Sequence, residues 1–210
     1  MSRSRPVRAD AARNREKLVA AAAQVFGDRG LDAPLEEVAR RAGVSIGTLY
    51  NHFHERQDLF DAIFPARLAE LDRLAAAALE DPDPWAGFAA FVEGIVALQA
   101  QDRGLNDVLA RRFPLASELA EACDRGFAHL ARIVERAKES GQLRSDFEVT
   151  DFVPLMWAMS QIIRESGGAE PAVWRRFLGL FLDGLRADAA RPLPVPALSG
   201  DQMAELMRGR

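Results

Sequence analysis

Between Ser45 and His52 the segment SIGTLYNH sets two hydroxyls, a phenol, a carboxamide and an imidazole within about two helical turns. These groups bond phosphate oxygens and base edges. The segment before them explains how they would be held. Leu35, Val38, Ala39 and Ala42 recur at i, i+3, i+4 and i+7, the apolar stripe of an amphipathic helix. Gly43 stands where a helix end needs a residue that tolerates positive φ. Val44 supplies an apolar plug, and Ser45 is a good N-cap for a second, short helix. Two helices around a tight turn, the second with Gly47 near its start, suit insertion into a DNA major groove. Residues at the N-terminal end of such a helix approach base edges. Ile46, Gly47, Thr48 and Asn51 are therefore the base-side candidates. Asn51 can bond adenine at two positions, and Ile46 and the Thr48 methyl can pack on thymine methyls. Leu49 and Phe53 read as core.

The rest of the chain is built from similar helical periods. Asp10 can cap a helix to about Gly27, with Leu18, Ala22, Val25 and Phe26 inward. Asp32-Ala33-Pro34 opens the next helix. A long helix over 54–79 buries Leu59, Phe60, Ile63, Phe64, Leu68 and Leu71. Pro65 is expected to interrupt it with a bend, read either as a plain kink or as a hinge. Asp81-Pro82-Asp83-Pro84 is the clearest internal boundary. Helices follow from Trp85 to Leu98 and from Leu105 to Arg112, stopped at Pro114. A long helix over 117–140 has Leu119, Cys123, Phe127, Leu130, Val134 and Ala137 inward and is closed by Gly141. Thr150 is the expected cap of a helix through Ser166. Gly167-Gly168 breaks the chain, and Pro171 opens a last major helix to about Ala187. The tail PLPVPAL reads as extended, and residues 201–207 as a helical turn. No strand is expected, and the class is all-α.

Composition agrees with a globular helical protein. Of 210 residues, 49% are hydrophobic and 28% charged. No run of about 18 apolar residues is present, so no membrane span is expected. The N-terminus lacks the apolar stretch of a secretory signal, and a single cysteine permits no internal disulfide. A cytoplasmic protein is the expectation. Net charge is −4, unevenly spread. Residues 1–60 carry 10 Lys+Arg against 8 Asp+Glu, and the remainder carries 17 against 23. The cationic end is the one that holds the two-helix motif, as phosphate neutralisation requires. Residues 1–9 read as a disordered arm, either simply frayed or carrying Arg3, Arg5 and Arg8 to DNA. Three histidines and one cysteine make no metal spacing and no nucleophile motif, so neither metal nor cofactor nor catalysis is expected.

The string GVSIGTLYNHF followed by HERQDLFDAIF resembles the signature of the TetR family of bacterial repressors, from about residue 14 to 64. The resemblance implies an N-terminal three-helix helix-turn-helix domain plus a larger helical domain for effector binding and dimerisation. The boundaries would be 1–55 for arm and DNA reader, 56–79 for a connecting helix, 80–190 for the effector domain and 191–210 for the tail. It also implies that Tyr50, His52 and Arg56 contact phosphates, with Arg56 standing where the family usually has Lys. Ala33 and Pro34 replace the hydroxyl residues common there, which removes one capping and phosphate contact.

Two further groups complete the reading. The helix over 150–166 and the last major helix are apolar nearly all round and must be covered within the monomer or by another chain. Met159, Ile163, Trp174, Phe177, Leu178 and Phe181 are the dimer candidates, and the resemblance implies a four-helix bundle across a two-fold axis. Phe88, Phe91, Ile95, Phe113, Phe127, Met156 and Trp157 are bulky side chains between which a small apolar or aromatic effector can lodge. Ordinary core packing is the competing reading for each. The function implied is a repressor released from a palindromic DNA operator by that effector. The alternative is a helical ligand-binding dimer or interaction module that does not bind DNA.

Overall fold

A computed structural model of the chain describes residues 4–110, 117–166, 170, 172–188 and 190–208, with side chains from Asp10 onward except at 117–120, 122, 123 and 208. Expectations for Arg3, Arg111–Pro114, Gly167-Gly168 and Pro171, and for the side chains of Leu119 and Cys123, fall outside it. The described residues form ten α-helices: α1 Ser4–Arg29, α2 Leu35–Ala42, α3 Ile46–His52, α4 Arg56–Glu80, α5 Pro84–Gln101, α6 Arg103–Ala110, α7 Ser117–Glu139, α8 Phe152–Ser166, α9 Val173–Leu185 and α10 Gly200–Arg208. A 3-10 turn, Val149–Asp151, precedes α8. None of the described helices is long and apolar enough to cross a membrane.

Helix ends follow local chemistry. Gly43 has φ 70°, and the Val44 N–H reaches the Ala39 carbonyl at 3.0 Å, closing α2 as the glycine predicts. Asp83 accepts from the Trp85 and Ala86 N–H groups, with Pro84 opening α5. Two expectations are corrected. α1 starts at Ser4, so residues 4–9 are helical and not a disordered arm. Pro6 sits in the first turn, where a missing N–H costs nothing because it would have no intrahelical acceptor. Thr150 does not cap α8. Glu148 and Asp151 form a capping box around the 3-10 turn, and the Thr150 hydroxyl donates to the Leu198 carbonyl at 2.8 Å.

Burial divides into two hydrophobic clusters. The first joins Leu18, Val25 and Phe26 of α1 to Val38, Leu49, Phe53 and the α4 residues Leu59, Phe60, Ile63 and Phe64. The second packs Ala75 and Ala78 of α4 against Phe88, Val92, Leu130, Val134, Met156, Met159, Trp174 and Leu178. α4 runs unbroken through both, so Pro65 does not interrupt it; buried Phe64 and Leu68 on either side hold the helix across the lost hydrogen bond. α6 falls on the unexpected side. Its Leu105 and Val108 belong to the first cluster, and a Cβ at Gly104 would stand 3.0 Å from the Phe26 carbonyl oxygen.

The link between α7 and α8 carries a buried cation that the sequence reading passed over. Leu143 forms an isolated antiparallel bridge with Arg186. The Arg144 guanidinium donates to both Asp146 oxygens, at 2.5 and 3.1 Å, to the Gly184 carbonyl at 3.1 Å and to the Arg191 carbonyl at 2.6 Å. Asp146 in turn accepts from the Leu193 N–H. One ion pair thus ties the end of α9 and the start of the tail to this link. The hydrogen bond from Arg144 holds the Asp146 carboxyl below its ordinary pKa, and Leu193 adds to that. A depressed carboxylate stabilises fully above the ordinary carboxylate range and loses its contribution as pH falls through the lowered value. Limited proteolysis of residues 190–199 reads the consequence. Arg144→Leu is expected to expose the tail at neutral pH, and the unaltered chain only in acid below the carboxylate range. A tail still protected in Arg144→Leu contradicts the clamp.

Candidate nucleic-acid interface

α3 has seven residues, too few to persist alone in water. Two buried side chains hold it: Leu49 is 0% exposed and Phe53 2%, both in the first cluster as expected. Its N-terminus is capped by Ser45, whose Oγ accepts from the Thr48 N–H at 3.1 Å. The Ser45 and Thr48 hydroxyls also lie 2.9 Å apart, in hydrogen-bond contact. One bond of the Thr48 hydroxyl is therefore spent at the cap, while its methyl takes no part in it. On the side away from Leu49, Gly47, Tyr50 and Asn51 are exposed, and Ile46, Thr48 and His52 are half-buried. Tyr50 stands out: a 46% exposed aromatic beside a well-packed cluster is surface available to a partner.

Arg56 is placed differently from what the resemblance implies. Its Nη1 donates to the carbonyls of Leu31 at 2.6 Å and Ala33 at 2.8 Å, and its guanidinium lies 5.9 Å from the Phe26 ring centroid. It is a staple from the start of α4 to the loop before α2. The lysine usual in relatives would have a rounder, more strongly hydrated charge; the planar fork of Arg suits two neighbouring carbonyls. Tertiary packing also brings in a cation absent from the sequence reading. Exposed Arg15 of α1 lies over the Phe53 ring at 5.3 Å, beside the end of α3. Elsewhere in the reader, Arg41 pairs with Asp28 at 3.1 Å and Arg29 pairs with Glu37.

In the second cluster, Phe88, Phe91, Ile95 and Met156 are at most 5% exposed and come together, with the Phe91 and Phe152 rings stacked at 6.3 Å. Trp157 is half-buried, and Phe113 lies outside the described residues. Phe127 does not point inward: it is 40% exposed, because the buried face of α7 runs through Leu130, Ile133, Val134 and Ala137. Gln99, Asn106 and Ser160 are buried polar residues that the reading missed, although Gln99 continues the stripe Val92, Ile95, Val96 at i+7. Among the described residues no group of His, Cys, Asp or Glu could hold a metal ion.

The dimer candidates separate. Phe177 and Phe181 are 41% and 40% exposed on α9, joined there by Leu180 at 60%. Met159, Trp174 and Leu178 are instead covered within the single chain, at 0–3% exposure, so they cannot form a surface. Ile163 is half-buried against the second cluster. One stripe of α9 faces its own chain, and the next faces solvent.

Replacing Arg56 tests how the reader is held. Arg56→Met leaves two carbonyls without their donor and is expected to destabilise the chain by about 1–3 kcal/mol in a denaturant melt. An unchanged midpoint would show the staple to be dispensable.

Residues 18–63 match the family model for bacterial regulatory proteins of the tetR family, and residues 83–187 match that for the C-terminal domain of SbtR-like transcriptional regulators. The HTH-type transcriptional repressor BepR of Brucella suis is 29% identical over 168 residues, covering 74% of this chain and 80% of that protein. The TetR transcriptional regulator SCO0520 of Streptomyces coelicolor is 30% identical at TM-score 0.51, covering 82% of this chain and 98% of the other. A TetR transcription regulatory protein of Mycobacterium vanbaalenii is 32% identical at TM-score 0.51, over 86% and 99%. With a reader of this geometry, and both halves of the chain matched, the protein belongs to the TetR family of bacterial transcriptional regulators.

Proposed function

We propose that the chain is a homodimeric repressor, working in the cytosol, that blocks transcription at a roughly palindromic operator and is released by a small effector with an apolar body. The observation that carries this reading is the exposed row Gly47, Tyr50 and Asn51 on a helix anchored from behind by Leu49 and Phe53. Ser45 orders the first turn of that helix. Ile46, Gly47, Thr48 and Asn51 meet base edges, while Tyr50, His52 and Arg15 bond the backbone. Arg56 acts as a positioning residue that sets the angle between α2 and α4. Phe177, Leu180 and Phe181 meet their counterparts across a two-fold axis, presenting two copies of α3 about 34–36 Å apart for successive major grooves.

In this reading residues 1–55 are the reader, 56–79 the connecting helix and 80–190 the effector and dimer domain, with α6 shared between reader and effector domain. An effector seated among Phe91, Ile95 and Met156 acts through α4 and α6 together. α6 supports that role because Asp107 accepts from the Leu31 N–H at 2.9 Å, in the loop before α2. Arg67 of α4 supports it as well: it donates to the Ala23 carbonyl of α1 at 2.7 Å and pairs with Asp102 at 2.8 Å. Burial lowers the pKa of that guanidinium and the Asp102 charge pulls it back up, so its charge is tied to a partner across the two halves. A ligand preferring the DNA-incompatible arrangement by ~1–3 kcal/mol would shift operator affinity roughly 5–150-fold.

Selection of bound duplexes from a random pool tests the reading directly; no enriched palindrome would overturn it. On the selected site, Tyr50→Ala and Arg15→Ala are expected to weaken all sequences alike and to flatten the salt slope by about one. Asn51→Ala is expected to relax preference at particular bases by about 1–3 kcal/mol. A changed base preference in Tyr50→Ala would contradict the division of roles. Phe181→Glu is expected to give monomers in sedimentation, and an intact dimer would move the interface elsewhere.

A further inference from the structure

Among the described residues of the effector half, three buried polar side chains contain atoms without a hydrogen-bond partner, and half-buried His129 of α7 has an unbonded Nδ1 as well. Gln99 of α5 is 0% exposed, and neither its carbonyl oxygen nor its amide nitrogen is bonded. Ser160 of α8 is 1% exposed with an unbonded hydroxyl, and Asn106 of α6 is 4% exposed with an unbonded Oδ1. Natural proteins seldom leave such groups unmatched, since burial removes their bonds to water. All three sit on helices that pack on one another, α5 on α6 and both on α8. Ser160 lies one turn before Arg164, whose guanidinium stands 3.4 Å from Asp107. That contact holds the Ser160 side of α8 against the residue next to Asn106. On α8, Met156 precedes Ser160 by one turn, so Ser160 adjoins the apolar cluster of Phe91, Ile95, Met156 and Met159.

The charges at this corner are already paired by distance: Arg67 stands 2.8 Å from Asp102, an ion pair in which its buried Nη1 makes no hydrogen bond, and Arg164 stands 3.4 Å from Asp107. What remains is uncharged and can both donate and accept. We infer that Gln99, Asn106 and Ser160 form the polar end of the effector site and take a neutral head group that both donates and accepts hydrogen bonds, a carboxamide or a hydroxyl, on an apolar body. A charged head would meet no opposite charge to spare, and a wholly apolar ligand would leave the Gln99 amide unmatched. This rests on the effector-responsive reading above and narrows its ligand class. It also links the site to the reader, because Asn106 adjoins Asp107, the acceptor for the Leu31 N–H.

The test uses the full chain without DNA and four probes sharing an eight-carbon tail: octanamide, 1-octanol, octanoate and octylammonium. Binding is read from the melting temperature and from tryptophan emission. Octanamide is expected to bind at least about tenfold more tightly than either charged probe, the discrimination that matched buried polar groups give. Gln99→Leu and Ser160→Ala are each expected to erase that preference. Should Gln99→Leu fail to fold, Ser160→Ala carries the test, since it removes one oxygen only. Equal binding of all four probes, binding of none, a preference for a charged head, or a preference that survives in Ser160→Ala overturns the inference. So does a corner that holds only water, revealed by a higher melting temperature in Gln99→Leu with no discrimination among probes. Operator binding is measured separately on the unaltered chain. Its absence beside intact head-group discrimination faults the repressor reading and leaves this site standing.

Discussion

A helix of two turns cannot hold its own shape in water, because the cost of nucleating it exceeds what a few hydrogen bonds return. Everything presented by α3 therefore depends on the burial of Leu49 and Phe53 beneath it. These side chains pass the rigidity of α1 and α4 to a surface that has little of its own. The Gly43 turn sets the path into the helix, the Ser45 cap satisfies its first turn, and the Arg56 staple fixes the loop in front of α2. With its inner face locked, the outer face is free to carry polar groups and an exposed Tyr50 without loss of order.

That dependence shapes the rest of the molecule. A reader stabilised by α1 and α4 changes its presentation only when those helices move. Both are gripped from the effector half. α4 belongs to two clusters at once, and the carbonyls of Ala78 in its last turn and of Asp81 just past its end accept from Arg136 of α7. α6 lies close against α1 at Gly104 and bonds the loop before α2 through Asp107. Packed interiors transmit displacement because they have almost no slack. A ligand wedged between α5, α6 and α8 would therefore press on the same backbone that positions α2.

The far end of the chain shows a different solution to burial. α9 covers the second cluster with Trp174 and Leu178 and leaves Phe177, Leu180 and Phe181 outside. The Arg144–Asp146 pair then fixes where α9 ends and where the tail begins. A guanidinium that satisfies two backbone carbonyls as well as a carboxylate loses little by being buried, which is why an Arg can sit there. The tail from Arg191 to Ser199 is held by hydrogen bonds to this link, while Leu193 and Val195 stay exposed.

From the residues alone came the all-helical class, the turn at Gly43, the Ser45 cap, the core roles of Leu49 and Phe53, and the family resemblance. Each rests on local periodicity or on the stereochemistry of one residue, which neighbours in sequence suffice to determine. Contacts between distant segments were beyond that reach. The inward stripe of α7 included Phe127 because period 3.6 identifies a face but not where the covering partner stops. Met159, Trp174 and Leu178 looked as suited to a second chain as to their own, since apolar character does not name its partner. Arg56, read through the resemblance as a phosphate ligand, turned inward because the carbonyls of Leu31 and Ala33, some 23–25 residues earlier, came within its reach. The mirror case is Arg15, which folding brought to Phe53 and the end of α3. Gln99, Asn106 and Ser160 lie on α5, α6 and α8, three helices that only the packed structure brings against one another.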